Sequence, residues 1–363
     1  MARGLTFTAI FEAQSLNYDE GFGNLSVLKK LRRGSGDVFT VASRQSLRYS
    51  IFTQGVQQFG WKKSGVKLAG GERDKQVTQH TSEIPESEEV DLFGYMKTEV
   101  VVQEAKKDAS GKVTEKEKTV TVTRRMPVRI MPAISLEPFS NDVEMLTNKY
   151  QSDKIREQPN IANMEQHRSL YRYTVAIDLD RLGNEKDETG THISPNTGVK
   201  ADDEFFKQIE KQLRRLEVDV QTRRRRVQQL LEVVKTLHRL IRGRVESLSP
   251  LFIIGGVYDC QNPFFMNSIR VVYEKGLARI VLAPLTQILD AKYAYGREMT
   301  ERMIRESTYV GIRDGYFANS LADVQNSLFP KVEERVLSPE GMIDRLKEAV
   351  AAFFNANAEA QNQ

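Results

Sequence analysis

The sequence predicts an α+β fold in which one core is interrupted by two insertions, and three observations predict it. A strand-like alternation opens the chain in LTFTAIFEA and returns far downstream in YRYTVAIDLDRL. The residues between them carry turns, charge and prolines instead of a regular alternation of strands and helices. A long apolar stripe at steps of three and four follows, and then short strand runs and further helices. This order suits α+β better than a doubly wound sheet, and two interruptions of one core argue for a single modified domain over 1–363.

In the first strand, Leu5, Phe7, Ala9 and Phe11 alternate with Thr6, Thr8, Ile10 and Glu12, the pattern of a half-buried strand. QSLNYDEGFGNLSVLKKLRRGSGDVFT has four glycines and no period, which predicts a long loop with one helical turn. In TVASRQSLRYSIFTQGVQQF, Ser43 is a suitable N-cap and Leu47, Ile51 and Phe52 recur at helical spacing, so a short helix carries Arg44 and Arg48 together. Residues 60–90 read as polar loop, and two β-branched runs around Ser110 and Gly111 then predict a projecting hairpin over 97–125, within a first insertion at 60–130. MPVRIMPAISLEPF is extended, because its three prolines forbid helix. The aperiodic residues that follow make a second insertion at 135–170.

The chain returns to the core where Tyr173, Val175, Ile177 and Leu179 alternate with polar neighbours. The apolar stripe runs Phe206, Ile209, Leu213, Leu216, Val220, Val227, Leu230, Val234, Leu237, Ile241, with Arg223 in its one gap. It predicts a long amphipathic helix or helical pair within 201–245. SPLFIIGGVYDCQNPFF and SIRVVYEKG read as strands, and 283–305 and 340–355 as helices.

With 40% hydrophobic and 28% charged residues, the 363-residue chain has the composition of a folded protein. The longest apolar run, LFIIGGV, is far too short to span a bilayer, and the N-terminus lacks the apolar stretch of a signal peptide. The single Cys260 cannot form an internal disulfide, which suits a reducing cytoplasm, so we expect a cytoplasmic protein with no membrane partner.

Signals for catalysis are sparse. His80, His167, His192 and His238 stand at no ligand-like spacing, and no metal or cofactor is expected. Asp178 and Asp180 lie two apart on one strand face and read as its solvated side, while Asp19 reads as a turn residue. GERDKQVT lacks the ending of a phosphate-binding loop. Gly255 and Gly256, inside an apolar strand, mark a bulge or a close backbone approach, either of which can bring an N–H near a phosphate.

Charge is segregated more than the net +4 suggests. Lys29 to Arg48 holds six Lys/Arg against one Asp, and Gln221 to Arg244 holds eight against Glu232. Glu72 to Asp91 holds seven acids against two cations. Such blocks point to a polyanionic partner. Lys29, Lys30, Arg32 and Arg33 in a glycine-rich loop, beside Arg44 and Arg48 on a helix, describe a polyphosphate track, with Ser43 to Ser46 offering helix-start amides. Tyr18, Phe22 and Tyr49 are candidates to stack on bases, Tyr49 equally for the core.

GLTFTAIFEAQSLNYDEGFGNLSVLKKLRRGSGDVFTVASRQSLRYS resembles the N-terminal region of the backbone subunit of type I-B CRISPR Cascade complexes, the DevR autoregulator family. The resemblance continues through DLFGYM, MPVRIMPAISLEPF, YRYTVAIDLDRLG and GGVYDCQNPFF. It implies an RNA-recognition-motif-like palm, with the hairpin as fingers and the second insertion as a thumb, polymerising in a helical filament along a CRISPR RNA. Implied partners are that RNA, target DNA through guide pairing, further copies of the chain and other Cascade subunits. On this resemblance the candidate RNA contacts are Asn17, Lys29, Lys30, Arg32, Arg33, Ser43, Arg44, Gln45, Ser46, Arg48, Arg124, Arg125, Arg168, Gly255 and Gly256. Arg223 to Arg226 face target DNA or water, and no catalytic role is carried over to Asp19. Two alternatives stand beside this one: a DNA-binding autoregulator, for which no helix-turn-helix pattern is present, and a metal-dependent ribonuclease using Asp19 or Asp178 with Asp180.

Overall fold

The computed structural model describes residues 3–69, 77–107, 113–185, 191–195, 216–295 and 299–361. The chain folds as a mixed α+β protein around a nine-stranded sheet. In chain order its strands are β1 (Gly4–Gln14), β2 (Lys30–Arg32), β3 (Val38–Ala42), β4 (Val128–Ile130), β5 (Ala133–Ser135), β6 (Arg168–Asp178), β7 (Phe252–Tyr258), β8 (Thr308–Ile312) and β9 (Val336–Leu337). They lie in the order β9-β8-β7-β1-β6-β5-β3-β2, with β4 also paired to β6. β1 sits between antiparallel neighbours, from Gly4↔Asp178 to Gln14↔Arg168 on one side and from Gly4↔Tyr258 to Ile10↔Phe252 on the other.

Four helices matter for the site: α1 (Arg44–Phe59), α2 (Glu88–Phe93), α3 (Val220–Lys235) and α4 (Pro339–Gln361). One sheet face puts Leu5, Phe7, Ala9, Phe11, Tyr171 and Tyr173 into a core shared with apolar residues of α1, α3 and α4. The other face buries Ile10, Phe252 and Ile254 with residues of two short helices, Ala283–Asp290 and Leu321–Leu328. β1 is therefore covered on both faces and not half-buried as its alternation suggests. Its polar positions are satisfied internally: the Thr8 and Thr174 hydroxyls meet at 2.9 Å, and Thr6 donates to the Asn262 carbonyl at 3.0 Å.

Three further expectations change. The loop after β1 contains strand Leu25–Ser26 and edge strand β2, so Lys30 to Arg32 lie on a sheet edge. The stripe at 201–245 yields one described helix, α3; Phe206, Ile209 and Leu213 lie outside the described residues. Past Thr236 the chain turns into a hairpin, His238–Ile241 with Arg244–Ser247, although Leu237 keeps its buried place. After helix Ala283–Asp290, the expected continuation to 305 is instead a hairpin of Lys292–Tyr295 with Thr300–Met303.

The hairpin arms Tyr95–Lys107 and Val113–Arg124 pair as expected, while the Ser110 and Gly111 turn and most of GERDKQVT lie outside the described residues. The second excursion is strand Asp142–Thr147, helix Lys149–Ile155 and strand Ile161–Gln166, the strands paired antiparallel. It presents Val143, Met145, Leu146, Tyr150, Ile155 and Ile161 to solvent.

Candidate nucleic-acid interface

α1 starts at a serine because the Ser43 hydroxyl accepts the Ser46 amide at 3.2 Å, satisfying one of the free N–H groups of the first turn. Asn17, on the loop leaving β1, holds the cap in place: its Oδ1 accepts from both the amide and the hydroxyl of Ser43 at 3.4 Å. The first turn contains no acid and begins with Arg44, which opposes the helix dipole. Among the described residues Arg44 makes no ion pair, and it is exposed together with Gln45. A cleft of about 360 Å³ opens beside them, lined also by Arg48, Phe93, Arg129 and Met131.

Arg48 is in a different state from Arg44. Its guanidinium lies 4.8 Å from the Phe93 ring centre, and burial lowers its pKa, with the charge of Glu89 acting in the opposite direction. It lines the cleft while also packing the helix against α2.

Beside the cap runs the cationic edge. Lys29 is tied by backbone to both neighbours, donating to Asn17 and accepting from Val41 at 2.8 Å each, while its ammonium lies 3.7 Å from Asp19. Arg32 and Arg33 are exposed, and Phe22 and Tyr49 stand 77% and 71% exposed, which places Tyr49 outside the core. Tyr18 is covered by the Arg242 guanidinium, 4.1 Å from its ring centre.

Several expected contacts have other partners. Lys30 donates to both oxygens of the buried Glu165 at 2.7 Å and lies over Phe139, so its charge anchors the second excursion to the edge strand. Arg124 is fully buried, pairs with Asp91 at 2.8 Å and donates to the carbonyls of Asn184 and Arg181, which removes it from any surface, whereas Arg125 is exposed. Arg168 is exposed but paired with Glu12 at 2.8 Å. Gly255 and Gly256 are buried: a Cβ at Gly255 would lie 2.2 Å from the Thr6 carbonyl oxygen, and one at Gly256 1.9 Å from that of Ser307. These glycines permit close approach within the protein and not to a phosphate.

Arg223 to Arg226 divide by helix face. Arg226 is buried between Asp91 at 2.7 Å and Glu88 at 3.3 Å, and Arg223 donates to the carbonyls of Leu179 and Asp180 while lying over Phe354. Neither faces DNA or water; of the four, Arg225 is the exposed one. The carboxylates Asp178 and Asp180 do not share a strand face, since β6 ends at Asp178. Asp178 pairs with Arg181 at 2.8 Å and Asp180 with Arg3 at 2.9 Å, and among the described residues no cluster suited to a metal ion is present.

The expected set omits three cations that the fold brings to the α1 end. Arg239 donates to the Ser46 hydroxyl at 2.8 Å, with its pKa lowered by burial; Arg242 covers Tyr18; Arg129 lines the cleft beside Arg44. Two of them belong to the basic block Gln221 to Arg244, whose signal was there in the sequence, but only the turn at Thr236 carries them to α1.

Among the described residues no helix is long and apolar enough to cross a membrane. The family model described as CRISPR-associated negative auto-regulator DevR/Csa2 matches residues 5–275. No curated protein matches the chain. Among solved structures, the chain is similar in fold to one from a "CRISPR RNA-guided surveillance complex, pre-nicking", at 13% identity and a TM-score of 0.51, covering 96% of this chain and all of that one. A second, from a "CRISPR RNA-guided surveillance complex", gives 13% identity, a TM-score of 0.49 and coverage of 95% and 99%.

Proposed function

Because the chain belongs to the CRISPR-associated DevR/Csa2 family, we propose that it is a non-catalytic subunit that coats the guide RNA of a type I-B surveillance complex. Copies of it line up along the RNA in a helical filament, beside other Cascade subunits, and present the guide for pairing with target DNA. In this reading the nine-stranded sheet is an RNA-recognition-motif-like palm, the hairpin from Tyr95 to Arg124 is the fingers and Asp142 to Gln166 is the thumb.

The observation that carries the reading is the start of α1: an exposed arginine with no acid, at the positive end of a helix, next to a cleft and a cationic strand edge. A protein that holds arbitrary guides must grip sugar and phosphate and leave base edges free, so unpaired cations with few base readers are what the task requires. The exposed apolar residues of the thumb offer a surface on which bases or a neighbouring copy can rest.

Arg44→Glu is the clean test, because Arg48 also packs on Phe93 and its replacement would disturb the fold. The purified Arg44→Glu protein is expected to lose co-purifying CRISPR RNA while its urea midpoint stays at or slightly above wild type, because a carboxylate suits the helix start that Arg44 opposes. Wild-type RNA content in that variant would refute the assignment.

A further inference from the structure

A second basic cavity lies on the sheet face opposite α1. Tyr171 and Tyr173 point into the core beneath α1, so Arg172 between them points the other way, beside its register partner Ile134. There Arg33, Arg172 and Arg270 converge on a cavity of about 690 Å³ whose walls include Leu31, Ile134 and Ile269. Among the described residues no acid lines it and none of the three arginines makes an ion pair. Arg172 is half-buried and donates to the Ile269 carbonyl at 3.3 Å. Its pKa is lowered first by burial and then by the charge of Arg33. Glu137, which follows the lining Leu136, is already engaged by the Ser169 hydroxyl, the Leu170 amide and the Tyr273 hydroxyl.

Like charges gathered at a half-buried site with no counterion are unfavourable unless an anion arrives. The volume exceeds the need of a lone phosphate and lies within the range of small-ligand sites. Its apolar wall beside guanidinium forks matches a nucleotide, the base against Leu31 and Ile134 and the phosphate on the arginines. β2 and its flanking residues link this cavity to the start of α1: Arg33 lines the cavity, and the Lys29 amide donates to Asn17, which holds the Ser43 cap.

We propose that this cavity seats a nucleotide of the same single RNA strand that α1 engages, so that the strand passes around the sheet edge and is held on both faces. This rests on the RNA-coating reading and deepens it. The test measures binding of labelled oligouridylate to the full chain over a salt series, comparing wild type with Arg270→Glu, Arg172→Gln and Arg44→Glu. Arg270 is exposed, so its variant keeps the fold even if Arg172→Gln does not.

The expected result for Arg270→Glu is a loss of about three- to tenfold in affinity and a salt slope shallower by about one, as for removal of a phosphate contact. If Arg44→Glu weakens binding and both cavity variants leave it unchanged, the cavity proposal fails and the α1 reading stands. If the cavity variants alone weaken it, the α1 reading fails and the cavity remains an RNA site. A wild-type chain that binds no oligouridylate overturns both.

Discussion

Arg44 at the start of α1 and Arg226 in α3 both come from basic runs, yet their surroundings are opposite. Arg226 is buried among Asp91, Glu88 and the carbonyls of Ile84 and Pro85, so each nitrogen of its guanidinium has a protein partner. Arg44 is exposed beside a cleft and, among the described residues, has no acid. The denser run of charge is thus partly structural, and the thinner run carries the candidate site. An arginine's role is set by whether the fold supplies its counterion, which neither the count of charges nor their spacing reveals.

The largest effect that would break this comparison lies at Asp91. Its carboxylate binds Arg124 at 2.8 Å, Arg226 at 2.7 Å and the Gly183 amide at 2.8 Å. Asp91→Ala leaves the buried Arg124 guanidinium without its acid and Arg226 with Glu88 alone at 3.3 Å, and the expected cost is about 3–5 kcal/mol of folding stability. Urea unfolding of the variant is expected to show that loss, or the protein to become insoluble. A wild-type unfolding midpoint would mean that α3 is not held by this network.

A smaller effect sharpens the contrast between two exposed arginines. Arg44→Glu and Arg225→Glu change net charge equally, and neither residue is buried. We expect Arg44→Glu to weaken RNA binding about tenfold, equivalent to about 1.4 kcal/mol, and Arg225→Glu to change it less than about twofold. Equal losses, read by titration at one salt concentration, would show that overall charge and not a site attracts the RNA.

These contrasts also mark what the sequence could reveal. The helix at Ser43 was legible because its signals are local: a cap, and Leu47, Ile51 and Phe52 on one face. Alternation in β1 revealed a strand but not its second buried face, since Thr6 and Thr8 look solvated until Asn262 and Thr174 satisfy them. Arg223 looked like a flaw in an apolar stripe because the carbonyls that accept from it, at Leu179 and Asp180, lie far away in sequence. The stripe overran Thr236 for a related reason: Leu237 is buried whether it ends a helix or starts a turn, so burial periodicity could not mark the boundary. Lys30 and Arg124 were legible as cations but not as paired ones, because Glu165 and Asp91 meet them only in the fold. Arg172 and Arg270, one on a core strand and one on a loop, offered no shared pattern at all.

The smallest effect separates the cap from the proposed ligand at a single atom. Ser43 holds α1 through one hydroxyl acceptor, and Ala removes it, at an expected cost of about 1 kcal/mol. Asp keeps a capping oxygen and suits the positive end of the helix dipole, so Ser43→Asp is expected to stay within about 0.5 kcal/mol of wild type. That same carboxylate places a negative charge where an RNA phosphate is proposed to sit, and it neutralises the field of Arg44 and Arg239 nearby. The two substitutions should therefore dissociate the measurements. Ser43→Ala lowers the urea midpoint and keeps RNA, whereas Ser43→Asp keeps the midpoint and loses RNA with a shallower salt slope. If Ser43→Asp binds RNA with the wild-type slope, the start of α1 is a capped helix and nothing more, and the difference between Arg44 and Arg226 is one of solvent exposure alone.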